Sequence, residues 1–266
     1  MLESGARLFT GVSGPIGFPK QTGAPTVTWM AENPGTPAPQ TDMTLGIAQA
    51  TPKTMIGSVP FTRQLLQQAS LDVEAWVRDE LATGHALAID KVAIHGKGNN
   101  GEPLGLYKTS GVFSKDFSAA IPAIDTLMEM VANIYDKNAD AETMAWLTAP
   151  TMAARLRITQ EFSGTTPTLW QGRIDNGTVL GYGARSTKQC SNTMTANEET
   201  GGTSVALLFG NWADLYVFLF DSLEFIVNPY TNARSAIIDV TTFQQGDIMA
   251  RHGESFAKGV NNDDGY

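Results

Sequence analysis

The sequence predicts an α+β fold, and three observations lead to that class. Apolar residues recur at helical spacing over 70–95 and again from about 118 to 135. Several shorter stretches show the alternating or continuous apolar patterns that are typical of strands. The helices and strands do not alternate in the rhythm of βαβ units, so a doubly wound parallel sheet is not expected.

The composition is that of a globular protein with an acidic surface. Of its 266 residues, 42% are hydrophobic and 17% are charged, and the net charge is −9. This acidic balance argues against a stand-alone nucleic-acid binder. The single cysteine, Cys190, excludes an internal disulfide framework and suits a reducing compartment. No run approaches the ~18 apolar residues of a membrane span, and no secretory signal is evident. We expect a soluble, intracellular protein with no membrane partner.

The first 59 residues predict extended structure. Glycine or proline recurs every few positions in residues 1–28, which favours an extended arm or a series of short edge strands. After the proline-rich run at 32–39, residues 43–47 and 53–59 alternate apolar and polar side chains. We therefore predict a two-stranded ribbon over 29–59. Such a ribbon is marginal alone and needs a surface to lie on, which another subunit can supply.

The clearest element is a long helix over about 70–95. Ser70 is a good N-cap, Asp72 and Glu74 place negative charge in the first turn, and Gly96 follows the last residue. At ~1.5 Å per residue the helix is roughly 38 Å long. Its buried side is predicted from the apolar and small residues near a 3.6-residue period: Val73, Val77, Leu81, Gly84, Ala88, Val92 and His95.

The second half mixes shorter elements. A second helix is predicted to start near Ser118, with Pro122 in its first turn. Its buried stripe is predicted from residues at helical spacing: Ile124, Leu127, Met128, Val131, Ile134 and Tyr135. Residues 259–266 are expected to be a frayed acidic tail. Between these, we predict a strand at 145–148, a helix at 150–158, loops at 159–177 and 195–203, and strands at 179–182, 205–210, 215–220, 223–227 and 234–243.

No constellation of residues predicts catalysis. The segment Gly96–Gly101 matches G-x-G-x-x-G, but a long helix precedes it and no helix start follows, so a helix stop and a tight loop are expected. His85 and His95 lack the i, i+4 spacing of a zinc site, and Cys190 has no histidine nearby in sequence. We predict no catalytic, cofactor-binding or metal-binding residues, no cofactor and no enzymatic activity.

Several short segments, taken in order over about 240 residues, resemble the major capsid proteins of tailed bacteriophages, the family with the HK97 fold. No single segment is decisive, and their order and spacing make the resemblance specific. The segments are 17–24 (GFPKQTGA), 29–32 (WMAE), 61–70 (FTRQLLQQAS), 72–74 (DVE), 88–90 (AID), 96–98 (GKG), 101–107 (GEPLGLY), 208–212 (LFGNW) and 228–230 (NPY) with Arg234.

The resemblance implies a particular domain organisation. Residues 1–28 would be the N-terminal arm and 29–59 the extended loop, or E-loop, that reaches over a neighbouring subunit. The helix at about 70–95 would be the spine of a peripheral domain made of 60–115 and 223–258. Residues 116–222 would form the axial domain, and 259–266 the C-terminal tail.

The resemblance also implies a structural function. The chain is expected to form hexamers and pentamers of itself that tile an icosahedral shell around double-stranded DNA, bound without sequence specificity. Expected partners in assembly are a portal protein, a scaffolding protein and a prohead protease, with a decoration protein as a further option. The expected location is the virion, after assembly in the host bacterial cytoplasm. Met1 stands almost at the arm, so we expect a processed chain or a separate scaffold.

Five residues are candidate inter-subunit contacts on the extended loop. Some family members join subunits through a lysine–asparagine crosslink assisted by a glutamate. Lys53 is the only lysine between Gln21 and Pro60, and residues 234–243 contain no glutamate, so no such crosslink is expected. The candidate contacts are Trp29, Glu32, Asp42, Leu45 and Lys53.

Other functions stay open at this stage. An encapsulin-type compartment around cargo enzymes would share the fold, and a gene-transfer-particle shell would be indistinguishable by sequence. A soluble hydrolase or nucleotide enzyme is the alternative from a different class. Measurable turnover by the isolated subunit would favour that enzyme.

Overall fold

The computed structural model describes residues 1–23, 27–30, 32, 35, 42–68, 73–139, 143–162, 164, 167–194 and 204–263. The predicted α+β class is confirmed. The helices are α1 (Arg63–Gln68), α2 (Val73–His95), α3 (Ile124–Asp136) and α4 (Pro150–Ile158). The strands are β1 (Arg7–Thr10), β2 (Ile16–Gly23), β3 (Thr44–Ala50), β4 (Lys53–Thr62), β5 (Phe113–Ala120), β6 (Met144–Thr148), β7 (Trp170–Gly172), β8 (Asn176–Val179), β9 (Tyr182–Ser186), β10 (Leu207–Asn211), β11 (Leu215–Leu219), β12 (Glu224–Asn228), β13 (Ile237–Ala250) and β14 (Phe256–Asn262).

A five-stranded sheet is organised around the 14-residue strand β13. On one side β13 pairs antiparallel with β4 over ten residues, from Ile237 opposite Thr62 to Gly246 opposite Lys53. On the other side it pairs first with β12 and then with β11, and β1 adds a parallel edge strand to β11. One long strand therefore joins β4, from the first quarter of the chain, to β11 and β12, from its last quarter.

A seven-stranded sheet, in the order β5-β14-β10-β6-β9-β8-β7, forms the second layer. Helix α3 packs against β5, β14 and β10, and α4 packs against β7. The largest hydrophobic core lies here, around the fully buried Trp146, Trp170 and Phe209. The Tyr107 hydroxyl accepts the Leu207 N–H at 2.8 Å and lies 3.1 Å from the carbonyl oxygens of Leu207 and Gly259, which fastens β10 to β14.

The two sheets share one continuous core where the chain passes from β10 to β11. Trp212, fully buried, donates its indole N–H to the Ala145 carbonyl at 2.8 Å and packs its ring edge-on against Phe256. Leu215 and Val217, at the start of the five-stranded sheet, belong to the same cluster. The relative position of the two sheets is therefore set by packing.

Helix α2 ends at His95 as predicted, but its buried side differs from the prediction. Val77 and Leu81 pack against Phe61 and Val240 of the five-stranded sheet. The predicted Gly84 and Ala88 are exposed, and His85 is buried in their place because its Nε2 lies 2.7 Å from the Thr242 hydroxyl. A hydrogen bond thus places a polar side chain where an apolar pattern cannot predict it. The predicted cap residues Ser70 and Asp72 lie outside the described residues.

The predicted pairing of the 43–47 and 53–59 strands is wrong. Strand β3 pairs antiparallel with β2, and β4 pairs with β13 instead. The alternation of β4 serves to bury Val59 and Phe61 beneath α2. The short edge strands predicted as one option within residues 1–28 are present as β1 and β2, although the pairing of β2 with β3 was not predicted. An edge strand tolerates Pro19 because only one of its edges is paired. The ribbon is therefore formed by β2 and β3.

The second helix begins later than predicted. Residues from Phe113 to Ala120 form β5, and α3 starts at Ile124. Ser118 has a left-handed φ of 53°, and its N–H bonds the Asp116 carboxylate at 2.7 Å, a local turn that competes with a helix. The Thr126 hydroxyl then closes the first turn of α3 by accepting the Ala123 N–H at 3.1 Å. Of the predicted stripe, Leu127, Val131 and Ile134 are buried, whereas Met128 and Tyr135 are exposed. Met130, which was not predicted, is buried as well.

The expected frayed tail is also wrong over residues 259–262. They belong to β14, which lies between β5 and β10 inside the seven-stranded sheet. The side chain of Asn262 is buried there, and its carbonyl oxygen accepts the Ser204 hydroxyl at 3.1 Å. Residues 259–262 are mostly polar and show no strand pattern, so the sequence did not predict that they belong to a central strand. The predicted loop at 159–177 contains β7 and the start of β8, and the loop at 195–203 lies outside the described residues.

Gly96 packs directly against the backbone of the loop that follows α2. Substitution of Gly96 is therefore expected to change the stability differently from substitution of the exposed Gly84. A Cβ on Gly96 would lie 2.3 Å from the Pro103 carbonyl oxygen, whereas a Cβ on Gly84, in the exposed middle of α2, meets nothing within 4 Å. Gly96→Ala is expected to destabilise the subunit by about 2 kcal/mol or more. Gly84→Ala is expected to stabilise it by about 0.5–1 kcal/mol, because alanine loses less backbone entropy. Urea unfolding of both variants measures the two changes in unfolding free energy. Equal changes would contradict the close contact between Gly96 and the following loop.

Candidate assembly surfaces

The β2–β3 ribbon projects from an aromatic base. Phe18 of β2 lies 5.5 Å, centroid to centroid, from both Tyr216 and Phe218, and 5.6 Å from Phe9. These rings cover the face of the five-stranded sheet that is opposite α2, and Ala50 at the end of β3 is fully buried among them. The root of the ribbon is thus fixed, and its eight-residue strand carries it roughly 26 Å outward.

The outward face of the ribbon is apolar and uncovered. Leu45 and Ile47 are two positions apart on β3, so both point to one face, and they are 61% and 80% exposed. Near the end of the ribbon, Trp29 is completely exposed and Val27 is 84% exposed. Leu45 and Ile47 are adjacent on this face, and adjacent exposed apolar side chains of this size are typical of an interaction surface. The ribbon therefore has one face whose apolar side chains are uncovered in the single chain.

The five candidate contact residues are distributed over two places. Trp29, Glu32, Asp42 and Leu45 are all exposed, on the ribbon or near its end. Lys53 instead lies at the root, where its Nζ donates to the Asp247 carboxylate at 2.9 Å within the same chain. Lys53 is therefore committed to an internal ion pair in this structure. Sequence reasoning missed Ile47, although the spacing Leu45-x-Ile47 could have identified it.

The contacts of Asp247 with Thr51, Lys53 and Ile248 lie at the root of the ribbon and form the Asp247 hub. Its carboxylate is 4% exposed and accepts the Thr51 N–H at 2.8 Å, the Ile248 N–H at 2.9 Å and the Lys53 ammonium. A buried carboxylate is stable only when it is paired and hydrogen-bonded in this way. The hub joins the turn between β3 and β4 to β13. Nothing in the sequence distinguishes this aspartate from a surface acid.

Further exposed apolar groups lie away from the ribbon. Trp76 and Leu87 are 64% and 46% exposed, and at eleven residues apart they share one face of α2. Tyr230, 85% exposed, stands in the turn between β12 and β13. Three separate parts of the subunit therefore offer large apolar side chains to partners.

The histidines are held inside the fold. The Nε2 of His95 accepts the Ser191 N–H at 2.9 Å, and its ring stacks on Tyr107 at 5.3 Å. Burial, together with the charge of Lys91, lowers the pKa of His95 to about 4. Burial also lowers the pKa of His85. Both imidazoles are thus neutral near pH 7 and act as structural hydrogen-bonding groups.

The loop after α2 does not have the surroundings of a phosphate site. Within Gly96–Gly101, Lys97 forms an antiparallel bridge with Leu104, which closes a tight loop as expected. A three-residue 3₁₀ turn, Leu106–Lys108, follows the loop, and no α-helix begins at these described residues. Among the described residues, no group of three or more acidic, histidine or cysteine side chains could hold a metal ion. In that same part of the chain, no helix is long and apolar enough to cross a membrane.

The profile of the phage capsid family matches residues 1–261, and the chain belongs to that family.

Two curated relatives of this chain are described as major capsid proteins. The chain is 30% identical over 253 residues to a major capsid protein of Halomonas phage phiHAP-1, an alignment that covers 95% of this chain and 39% of that protein. It is 22% identical over 279 residues to a major capsid protein of Klebsiella oxytoca phage phiKO2, covering 96% and 62%. The chain thus spans about two fifths and three fifths of the lengths of these relatives.

Solved structures share the fold at low sequence identity. The capsid of a native GTA particle superposes with a TM-score of 0.74 at 13% identity, covering 97% of this chain and 89% of that chain. A structure from Mycobacterium phage Ogopogo gives a TM-score of 0.71 at 14% identity, covering 97% and 90%. The expected capsid fold is confirmed.

The Asp247 hub predicts that Lys53 matters far more than an exposed lysine. Lys53→Met leaves a buried carboxylate without its cation and is expected to cost about 3 kcal/mol of unfolding free energy. Lys97→Met, on an exposed lysine, is the matched control and is expected to change it by less than about 0.5 kcal/mol. Urea titrations of the two variants give the comparison. Similar midpoints for both would contradict the hub.

Neutral His95 predicts a loss of stability in mild acid. A histidine in the unfolded chain titrates near pH 6.5, so the unfolded state takes up the proton first as the pH falls. The contribution of His95 to the unfolding free energy is therefore expected to be complete above about pH 6.5 and to fall by up to about 3 kcal/mol towards pH 4. His95→Gln keeps an acceptor without a titrating group, so its stability is expected to decline less over this range. Parallel pH profiles of the two proteins would refute this role.

Proposed function

We propose that this chain is the shell-forming part of a major capsid protein, which self-assembles into the hexamers and pentamers of a closed icosahedral shell around double-stranded DNA. The carrying observation is the uncovered apolar face of the β2–β3 ribbon, with Leu45 and Ile47 at its centre. Membership of the phage capsid family and the descriptions of the two curated relatives support the same function. A structural, non-enzymatic role follows from it.

The two sheets suggest how the subunit is divided. We infer that the five-stranded sheet with α2 is the peripheral domain, and that the seven-stranded sheet with α3 and α4 is the axial domain. The β2–β3 ribbon, with the residues that connect its strands, takes the place of the extended loop. In this division β11 belongs to the peripheral part and β14 to the axial part, because each strand pairs within the corresponding sheet.

The charge of the chain suits a container. With a net charge of −9, the subunit repels phosphates overall, so a packaged genome would be enclosed without tight binding. The location proposed for the chain is the virion, following assembly in the host cytoplasm. Portal, scaffolding, protease and decoration proteins are proposed partners that follow from this role.

A gene-transfer-particle shell is a second candidate. The capsid of a native GTA particle superposes on 97% of this chain. The subunit would perform the same assembly in either particle. The nucleic acid extracted from purified shells separates the candidates, since a phage packages its own genome.

The ribbon's role predicts that charge on its outward face blocks assembly without unfolding the subunit. Leu45→Asp with Ile47→Asp is expected to give folded subunits, because both side chains are already exposed, and to lower the yield of closed shells at least tenfold. The conservative pair Leu45→Met with Ile47→Val keeps the apolar surface and is expected to assemble normally. Electron microscopy and sedimentation measure the shells, and circular dichroism the folding. Normal shells from the aspartate pair would contradict the assignment of the ribbon's outward face to assembly.

A further inference from the structure

A small apolar pocket lies between α2 and the five-stranded sheet, at the root of the ribbon. Its volume is about 260 Å³, and its floor and walls include Met55, Ile89, Val92, Val217 and Ile248. The loop that follows α2 closes one side with Pro103, and Glu102 adds a carboxylate. The pocket is thus apolar inside, with a hydrogen-bond acceptor in its lining.

The size of the pocket suits one large side chain. Small-molecule sites usually occupy about 300–1,000 Å³, and an apolar cavity of about 150 Å³ already holds a benzene ring. A volume of about 260 Å³ therefore accommodates an indole ring. An indole has one N–H donor and no acceptor, which matches an apolar interior lined on one side by a carboxylate.

One side chain of the protein has the matching properties. Trp29 is completely exposed, so it buries no surface against its own chain. A tryptophan buries roughly 150–250 Å² when it enters a pocket, and such residues dominate the energetics of interfaces. An uncovered Trp29 next to the exposed Val27 and Met30 is therefore the most apolar unpartnered point at the end of the ribbon.

Trp29 and the pocket of the same chain are held apart by the ribbon. The pocket lies beside Thr54 and Asp247 at the root, whereas Trp29 follows Gly23 at the far end of β2. The seven steps from Ile16 to Gly23 span roughly 23 Å of strand. Trp29 is completely exposed in this structure, so it does not occupy the pocket of its own chain. A second copy of the chain is the natural source of the indole.

We propose that Trp29 of one subunit inserts into the pocket between α2 and the five-stranded sheet of a neighbouring subunit. This inference rests on the proposed assembly function and names the partner of the ribbon's end. Each subunit gives one tryptophan and receives another, so the contact is heterologous and closes when the subunits form a ring. Many copies of the contact then add through multivalency.

Crosslinking within assembled shells tests the contact directly. Trp29→Cys is combined with Ala88→Cys, which lies in the exposed wall of the pocket on α2. A short bismaleimide is expected to produce a ladder of covalent multimers in denaturing gels. Trp29→Cys with Thr83→Cys is the matched control, because Thr83 is exposed on the same helix but about 140° around its axis. The control is expected to give at least tenfold less multimer.

A double-mutant cycle provides the second measurement. Trp29→Ala empties the pocket and Ala88→Phe obstructs it, and each is expected to lower the guanidinium concentration at which shells dissociate. The double variant is expected to be no weaker than either single one, because both remove the same contact.

The outcomes distinguish this inference from the function on which it rests. Shells that form without crosslinks between positions 29 and 88, or additive losses in the cycle, overturn the pocket contact and leave the capsid function standing. Failure of the unmodified chain to form shells in the presence of its assembly partners overturns both.

Discussion

The buried carboxylate of Asp247 is stable only because it is paired and hydrogen-bonded, and these contacts fasten the root of the ribbon. Its carboxylate holds the turn between β3 and β4 through the Thr51 N–H and holds the start of β4 through Lys53. Because β4 then runs for ten residues along β13, this single position sets the register of the sheet and the direction in which the ribbon leaves it. The aromatic rings around Phe18 complete the anchorage on the opposite face. A rigid root is what allows a thin ribbon to present its far end in a defined place.

The buried side chains are distributed unevenly over the two sheets. The seven-stranded sheet carries most of the buried side chains, including Trp146 and Trp170. The five-stranded sheet has a much smaller core under α2, formed by Phe61, Val77, Leu81 and Val240. Much of α2 is consequently exposed, and the pocket beside it remains open. The part of the molecule with the thinner core is also the part from which the ribbon projects, so contacts with neighbours can supply the burial that the single chain lacks.

In the proposed assembly, the subunit would rely on many modest contacts, each between different surfaces. The ribbon face, the exposed side of α2 and the turn at Tyr230 are far apart on the chain and differ in shape. Heterologous contacts of this kind form closed rings when the rotation between copies matches, and the strength of a ring comes from their number. The neutral histidines serve the interior and take no direct part in these surfaces, since His85 and His95 bond to Thr242 and Ser191 inside the fold.

The sequence by itself determined the class, the end of α2 at His95, the whole of α4, the strand around Trp146 and the family. These features rest on local signals: helical periodicity, a helix-stopping glycine, a proline at a first turn and short ordered motifs. The tertiary structure alone decided which strands pair, since β3 joins β2 and β4 joins β13, and it decided that Phe256–Asn262 is a central strand. It also placed Lys53 in an internal ion pair and His85 in the core. Strand pairing and buried polar contacts join residues far apart in the chain, and their free energy depends on neighbours that no local pattern specifies.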